Sequence, residues 1–174
     1  DSFTNEVRRC RLCHDDSVLD SYAFPIIQKT KPRNTDILFV LEAPNHVDTY
    51  DPDKGYLTID TDAEPSISFF LEMYSEVLEL DIEDLFITNS VLCLPKKFAS
   101  LNPITTLQRN HCSAILKKTI DLFQPKVVCS IGFQSLKSIR IIEPHGFVSM
   151  KSAVGVKTMW YDRMLFPQYH TSML

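Results

Sequence analysis

The chain has 174 residues, of which 44% are hydrophobic and 23% charged, as in an ordinary soluble globular domain with a substantial core. Its formal net charge of −4 is unlike that of proteins that bind nucleic acid through a wholly basic surface, and its 4 glycines leave no glycine-rich phosphate loop. No apolar run reaches the roughly 20 residues of a membrane helix, and no leader segment is evident. We therefore expect a cytoplasmic, monomeric protein with one domain over residues 1–174.

The first predicted elements are a strand and a helix. The run Ile37–Leu41 is continuously apolar, which is typical of a strand buried on both faces of a sheet. From Pro65 onward, apolar residues recur at helical spacing as far as Val77 and Leu78. This spacing predicts a helix with one apolar face.

A second strand and helix follow. Residues 85–92 predict a strand, and Asn102–Pro103 has the form of a helix N-cap followed by proline at the first helical position. The helix is predicted to end near Gln124, with Leu107 and Leu122 on its apolar face.

The last third of the chain repeats this alternation. Residues 126–131 predict a strand that ends at Gly132, and a helix carrying Leu136 follows. Two more strands are predicted within 154–166, around a turn at Asp162–Arg163. The β-α-β-α-β-α order indicates an α/β fold with a parallel sheet and helices on both faces.

Four of the five cysteines form two pairs, Cys10 with Cys13 and Cys93 with Cys112. Because Cys93 ends a predicted strand and Cys112 lies in a predicted helix, both can approach the N-terminal loop. Four thiolates can hold an iron–sulfur cluster or a zinc ion, and a zinc-bearing interaction domain is one hypothesis. The alternative is that they are small core residues, which is our interpretation of Cys129. Disulfides are disfavoured, since nothing suggests secretion.

Polar side chains follow the predicted strands. Glu42 comes directly after the first strand, Asn89 lies near the end of the second, and His170 follows the last. In parallel sheets, ligands bind at the carboxyl ends of the strands. We therefore expect these three side chains to share one edge, where they would recognise a polar heterocycle and stabilise charge.

Five segments of the chain resemble, in order, the motifs of one family. They are CRLC at 10–13, ILFVLEAP at 37–44, FITNSVLCLP at 86–95, QPKVVCSIG at 124–132 and YHTS at 169–172. The family is that of the iron–sulfur uracil-DNA glycosylases, commonly called family 4, within the uracil-DNA glycosylase superfamily. The resemblance implies a three-layer α/β/α sandwich with a central, mostly parallel four-stranded sheet.

The resemblance also implies a cofactor and an activity. Cys10, Cys13, Cys93 and Cys112 would ligate a structural [4Fe–4S] cluster rather than zinc. The protein would excise uracil, and other deaminated bases, from DNA by hydrolysing the N-glycosidic bond after base flipping. The alternative is a catalytically weak or inactive module that binds uracil-containing or single-stranded DNA.

By the same resemblance, four side chains take part in the chemistry. His170 would donate a hydrogen bond to the uracil oxygen where negative charge develops. The amide of Asn89 would pair with uracil and mismatch cytosine. Glu42 or Asp48 would position water or stabilise the sugar cation. Each of these residues could instead have only a structural role at the end of a strand or in a loop.

The resemblance implies further contacts with the base and the DNA. Ala43 and Asn45 would line the substrate site, Tyr56 would stack on the flipped base, and Ser172 would contact a phosphate, with residues 173–174 as a wedge. The chain departs from the motifs at Leu41 and Asn45, which replace glycines, and at Thr171, which replaces proline. These changes indicate a divergent member of the family.

Overall fold

The computed structural model describes residues 2–13, 25–28, 31–44, 65–93 and 104–171. The helices are α1 Ser2–Arg8, α2 Pro65–Leu78, α3 Thr106–Phe123, α4 Phe133–Ile142 and α5 Met150–Ala153. The strands are β1 Ile37–Leu41, β2 Phe86–Asn89, β3 Val127–Ser130, β4 Thr158–Trp160 and β5 Arg163–Leu165. Among the helices described, none is both long and apolar enough to cross a membrane.

The strands form one sheet in the order β2-β1-β3-β5-β4. Neighbouring strands among β2, β1, β3 and β5 are parallel, whereas β4 pairs antiparallel with β5 at the edge. The predicted α/β class and mostly parallel sheet are confirmed, and the described residues form the five strands that the hydrophobic pattern predicts, one more than the family resemblance implies. The fifth arises because Tyr161 and Asp162 both adopt positive φ angles in a two-residue turn, which returns the chain antiparallel to itself.

Helices cover both faces of the sheet because consecutive residues of the buried strands, whose side chains point to opposite faces, are apolar. Leu38 and Val40 of β1 belong to a core cluster that includes residues of α3 and α4. Phe39 and Leu41 belong to a second cluster, which includes Phe70 of α2. The two clusters fill the two interfaces between the sheet and the helices on either side of it. The fold therefore has three layers, with the sheet in the middle.

Helix α3 differs from its prediction in where it begins and which face it buries. Its N-cap is Thr105, whose hydroxyl accepts from the Gln108 N–H at 3.1 Å, while the Gln108 side chain accepts from the Thr105 N–H at 2.8 Å. This reciprocal capping box makes Asn102–Pro103, which lies outside the described residues, the wrong start. Leu107 and Leu122 are exposed. The face that α3 buries has Gln108 as its first residue and includes neither leucine.

Helix α2 begins at the predicted residue, Pro65, but its apolar face is shorter than predicted. Phe70 and Leu71 are buried and Tyr74 packs against the same cluster. Val77, in the last turn, is exposed to solvent.

Residues 25–28 run along the free edge of β2. The Gln28 side chain donates to the Leu85 carbonyl at 2.7 Å and accepts from the Ile87 N–H at 3.1 Å. The Ile26 N–H donates to the Leu92 carbonyl at 2.9 Å. These bonds satisfy backbone groups that an edge strand leaves open.

Candidate functional site

Strands β1 and β2 end side by side. Leu41 and Asn89 are register partners in the parallel pair. Beyond them the Ser90 N–H donates to the Leu41 carbonyl at 2.8 Å, and the Ser90 hydroxyl donates to the Glu42 carbonyl at 2.8 Å. Glu42 and Asn89 therefore lie at the carboxyl ends of adjacent strands.

The segment that leads to His170 is tied to the end of β3. The Gln168 N–H donates to the Ser130 carbonyl at 2.8 Å, and the Gly132 N–H donates to the Gln168 carbonyl at 2.9 Å. Half-buried His170 follows two residues later. The structure thus places Glu42, Asn89 and His170 at the same edge of the sheet.

The Glu42 carboxylate is held at the N-terminus of α4. Its Oε1 accepts from the Gln134 N–H at 3.1 Å, where the helix dipole favours negative charge. Gly132 has φ of +87°, and a Cβ on it would overlap the Glu42 carboxylate, so glycine is required on two grounds. The Gln134 side chain in turn accepts from Arg109 Nη1 of α3 at 3.0 Å.

Asn89 is 2% exposed, and within the part of the chain that the structure describes neither its Oδ1 nor its Nδ2 has a hydrogen-bond partner. Strand alternation places Asn89 on the same face as Ile87, which packs in the α2-side cluster. A buried amide without partners is rare in native proteins, because it costs about 1–3 kcal/mol. Such an amide offers one acceptor and two donors to a ligand.

Ser130 carries a second buried polar atom of this kind. Its hydroxyl also lacks a partner among the described residues. Since Ser130 is the register partner of Val40 and not of Phe39, it lies on the α3 and α4 side of the sheet. It is therefore separate from the Asn89 amide.

Two further residues from the sequence predictions have known surroundings. Ala43 is half-buried and packs against the cluster that contains the N-terminal cysteine loop. Thr171 is buried. The other predicted contacts lie outside the described residues: Asn45, Asp48, Tyr56, Ser172, Met173 and Leu174.

The paired cysteines converge. Cys13, Cys93 and Cys112 are buried in one apolar cluster together with Val7 of α1. Burial, followed by the neighbouring thiols of Cys112, Cys13 and Cys10, raises the pKa of Cys93. Burial is also the largest cause that raises the pKa of Cys112 to about 12. Without a positive partner these thiols are therefore protonated at neutral pH.

The surroundings of the thiols include a histidine. Cys13 Sγ lies 3.6 Å from His111 Nδ1, and the Gln108 side chain donates to the Cys93 carbonyl at 3.4 Å. Across the described ranges, no three His, Cys, Asp or Glu side chains are grouped so that they could hold a metal ion. Cys129 is apart from this cluster, in the core next to Tyr74, as predicted.

Three residues around Glu42 were not among the sequence predictions: Ser90, Arg109 and Gln134. Ser90 directly follows the predicted Asn89, and Gln134 comes two residues after Gly132, so proximity in sequence was the available signal. Arg109 had no signal, because its contact with Gln134 depends on how α3 packs against α4.

Two comparisons with known proteins show the family of this chain. Residues 27–174 match the family model of the Uracil DNA glycosylase superfamily. The chain is also 28% identical, over 145 residues, to the Type-4 uracil-DNA glycosylase of Sulfurisphaera tokodaii. That alignment covers 78% of this chain, which spans about three-fifths (59%) of the length of the relative. The chain belongs to the uracil DNA glycosylase superfamily.

Proposed function

We propose that this protein is a DNA repair glycosylase that excises uracil, and related deaminated bases, from DNA by hydrolysing the N-glycosidic bond. The observation that carries the proposal is the buried, unsatisfied amide of Asn89 at the end of β2, the strand next to β1, after which the fixed carboxylate of Glu42 follows. An amide suits recognition of a pyrimidine base, and a carboxylate suits the positioning of water or the stabilisation of the sugar as the N-glycosidic bond breaks. Family membership supports the same chemistry.

Glu42 would position the attacking water or stabilise positive charge on the sugar. A carboxylate has about four lone-pair sites, and the Gln134 N–H uses one of them. The carboxylate is thus oriented by the protein before substrate arrives, which lowers the reorganisation needed in the transition state. Asp48 remains the alternative for this role.

Asn89 would select the base. Uracil presents a carbonyl next to an N–H, which match the donor and acceptor of an amide, whereas cytosine reverses that pattern. A site built to hydrogen-bond a substrate rejects a mismatched one strongly, because its buried polar groups stay unpaired. Asn89 meets this requirement, since it has no competing partner among the residues described.

His170 would donate to the uracil oxygen as the base leaves with negative charge. Its placement beside the end of β3 supports this role, since the Gln168–Ser130 bond brings the segment to the edge where Glu42 lies. A single preorganised donor of this kind typically contributes about 3 kcal/mol to the transition state.

The thiol cluster fits a [4Fe–4S] group in its donor chemistry. Cys10, Cys13, Cys93 and Cys112 would hold it, and the cluster would crosslink the N-terminal loop, the segment after β2, and α3. A single zinc ion bound by the same thiols is the alternative.

Cysteine variants test the cofactor. We expect the purified protein to be brown and to contain iron and sulfide, and Cys112→Ser to lose both. Cys129→Ser is the matched control, since Cys129 is also buried but lies in the core cluster on the α2 side of the sheet, apart from the paired cysteines. A colourless protein with stoichiometric zinc would overturn the iron–sulfur proposal.

The activity test is release of free uracil from single- and double-stranded oligonucleotides, with cytosine and thymine oligonucleotides as controls. Uracil release, abolished in Asn89→Ala and His170→Ala, is the expected result. The absence of abasic product under every condition would reject the enzyme and leave a second candidate.

That candidate is a module that binds uracil-containing or single-stranded DNA without turnover. Leu41 favours it, because a leucine is buried next to Asn89 where the family motif has glycine. It predicts tight binding to uracil-containing DNA while the base stays attached. Monomeric state, a single domain and a cytoplasmic location remain predictions under either function.

A further inference from the structure

An aromatic ring lies exposed beside the candidate site. Phe133 is the first residue of α4 and follows Gly132, against which the Glu42 carboxylate packs. It is 37% exposed. The ammonium group of Lys137, one turn later, lies 4.3 Å from the centroid of the ring. This cation–π contact holds the ring in place at the surface.

Cations lie near Phe133, although the chain as a whole is acidic and the Glu42 carboxylate packs against the preceding Gly132. The sequence of α4 contains Lys137 and Arg140 and no acidic residue. The first turn of α3 is likewise free of acids, and its Arg109 is bonded to Gln134 next to Phe133. Cations next to an exposed aromatic ring are the combination that binds single-stranded nucleic acid.

The position of Phe133 separates it from the base that Asn89 would read. Phe133 directly follows Gly132, whose backbone packs against the Glu42 carboxylate. Because consecutive Cα atoms are about 3.8 Å apart, Phe133 lies close to Glu42. Asn89 lies on the face of the sheet that α2 covers, whereas α4 packs on the opposite face. A base that reaches Asn89 therefore lies on the α2 side, and the α4 side remains available to the neighbouring nucleotides of the DNA strand.

We propose that Phe133 stacks on the base of a nucleotide next to the excised one, and that Lys137 binds the adjoining phosphate. This inference rests on the proposed function. A base–aromatic stack typically changes binding by roughly 5- to 140-fold. The effect is expected mainly with single strands, because neighbouring bases in a duplex are already stacked on each other.

The test uses a single-stranded oligonucleotide with one 2′-fluoro-2′-deoxyuridine, which resists glycosidic cleavage, and 2-aminopurine on either side of it. We expect the protein to quench 2-aminopurine at one of the two positions, and Phe133→Ala to abolish the quenching and weaken binding about tenfold. Phe69→Ala is the matched control, because Phe69 is 44% exposed on α2. It should behave as the unaltered protein does.

The outcomes separate this inference from the proposed function. If the unaltered protein releases uracil and Phe133→Ala quenches and binds as Phe69→Ala does, stacking is wrong and the glycosylase proposal stands. If the unaltered protein neither binds nor cleaves uracil-containing DNA, both proposals are overturned. Thermal unfolding of both variants checks that each is folded.

The phosphate contact has its own test. Lys137→Ala should lower the slope of log K against log salt by about 0.7, the change expected for one phosphate on a single strand. Lys157→Ala is the control, since Lys157 is exposed and lies before β4. An unchanged slope in Lys137→Ala would mean that this lysine only covers the ring.

Discussion

The ends of β1 and β2 are neighbours in the sheet, yet the two polar side chains they carry are treated in opposite ways. Glu42 is fixed through its carboxylate by Gln134 and through its carbonyl by Ser90. Asn89, one strand away, is buried without a partner in the described part of the chain. The protein orients the group proposed for the chemistry and leaves the group proposed for recognition unsatisfied.

The difference follows from what each role requires. A carboxylate that acts in a transition state gains when no reorganisation is needed, so bonds to it help. An amide that must discriminate between bases gains when the ligand is its only partner, because a wrong base then leaves it unpaired. The stability lost at Asn89 is thus a property of recognition, which can be tested by mutation.

The largest expected effect is on catalysis. Glu42→Gln keeps the shape of the side chain and an oxygen that accepts from the Gln134 N–H, but removes the charge. We expect the single-turnover rate of uracil release to fall about 10²–10⁴-fold, with binding of uracil-containing DNA and thermal stability nearly unchanged. A variant that retains the full rate would shift the role to Asp48.

The second effect has opposite signs for stability and for activity. Asn89→Leu replaces the unpaired amide by an apolar side chain of similar shape. We expect unfolding to become harder by about 1–3 kcal/mol. At about 2–4 °C per kcal/mol in a chain of this size, a rise in Tm would report it. Uracil release should fall by about 100-fold or more.

Asn89→Asp provides the comparison for that variant. It keeps the size of the side chain but removes the donor, so it should lose uracil release without any gain in stability. A fall in Tm of Asn89→Leu would show that the amide is already satisfied in the protein, and the contrast with Glu42 would then disappear.

Much of this site could be predicted from the sequence, because parallel topology alone brings strand ends together. The apolar run Ile37–Leu41 matches β1 residue for residue. Once β1, β2 and β3 are parallel neighbours, Glu42 and Asn89 must share an edge. The thiol cluster was foreseen for the same reason, since Cys93 follows β2 and Cys112 lies on the helix after it.

What the sequence did not predict depends on packing between elements. The capping box moves the start of α3 to Thr105, although Asn102–Pro103 has the stronger local signal. The contact of Arg109 with Gln134 requires α3 and α4 to be adjacent, which no local pattern encodes. That Asn89 is unpaired is likewise a property of its surroundings and not of its own sequence.

The smallest effect tests how Glu42 is held. Gly132→Ala adds a Cβ that overlaps the Glu42 carboxylate at a φ of +87°. Gly146→Ala meets a similar φ of +78°, but no described atom lies within 4 Å of its Cβ. Both should lose about 1–2 kcal/mol of stability from the backbone alone. Only Gly132→Ala should also lower the rate of uracil release, by about tenfold, because a small misplacement of a catalytic group is costly. Equal rates for the two variants would mean that the carboxylate can move away without consequence and that its contact with α4 does not orient it for the reaction.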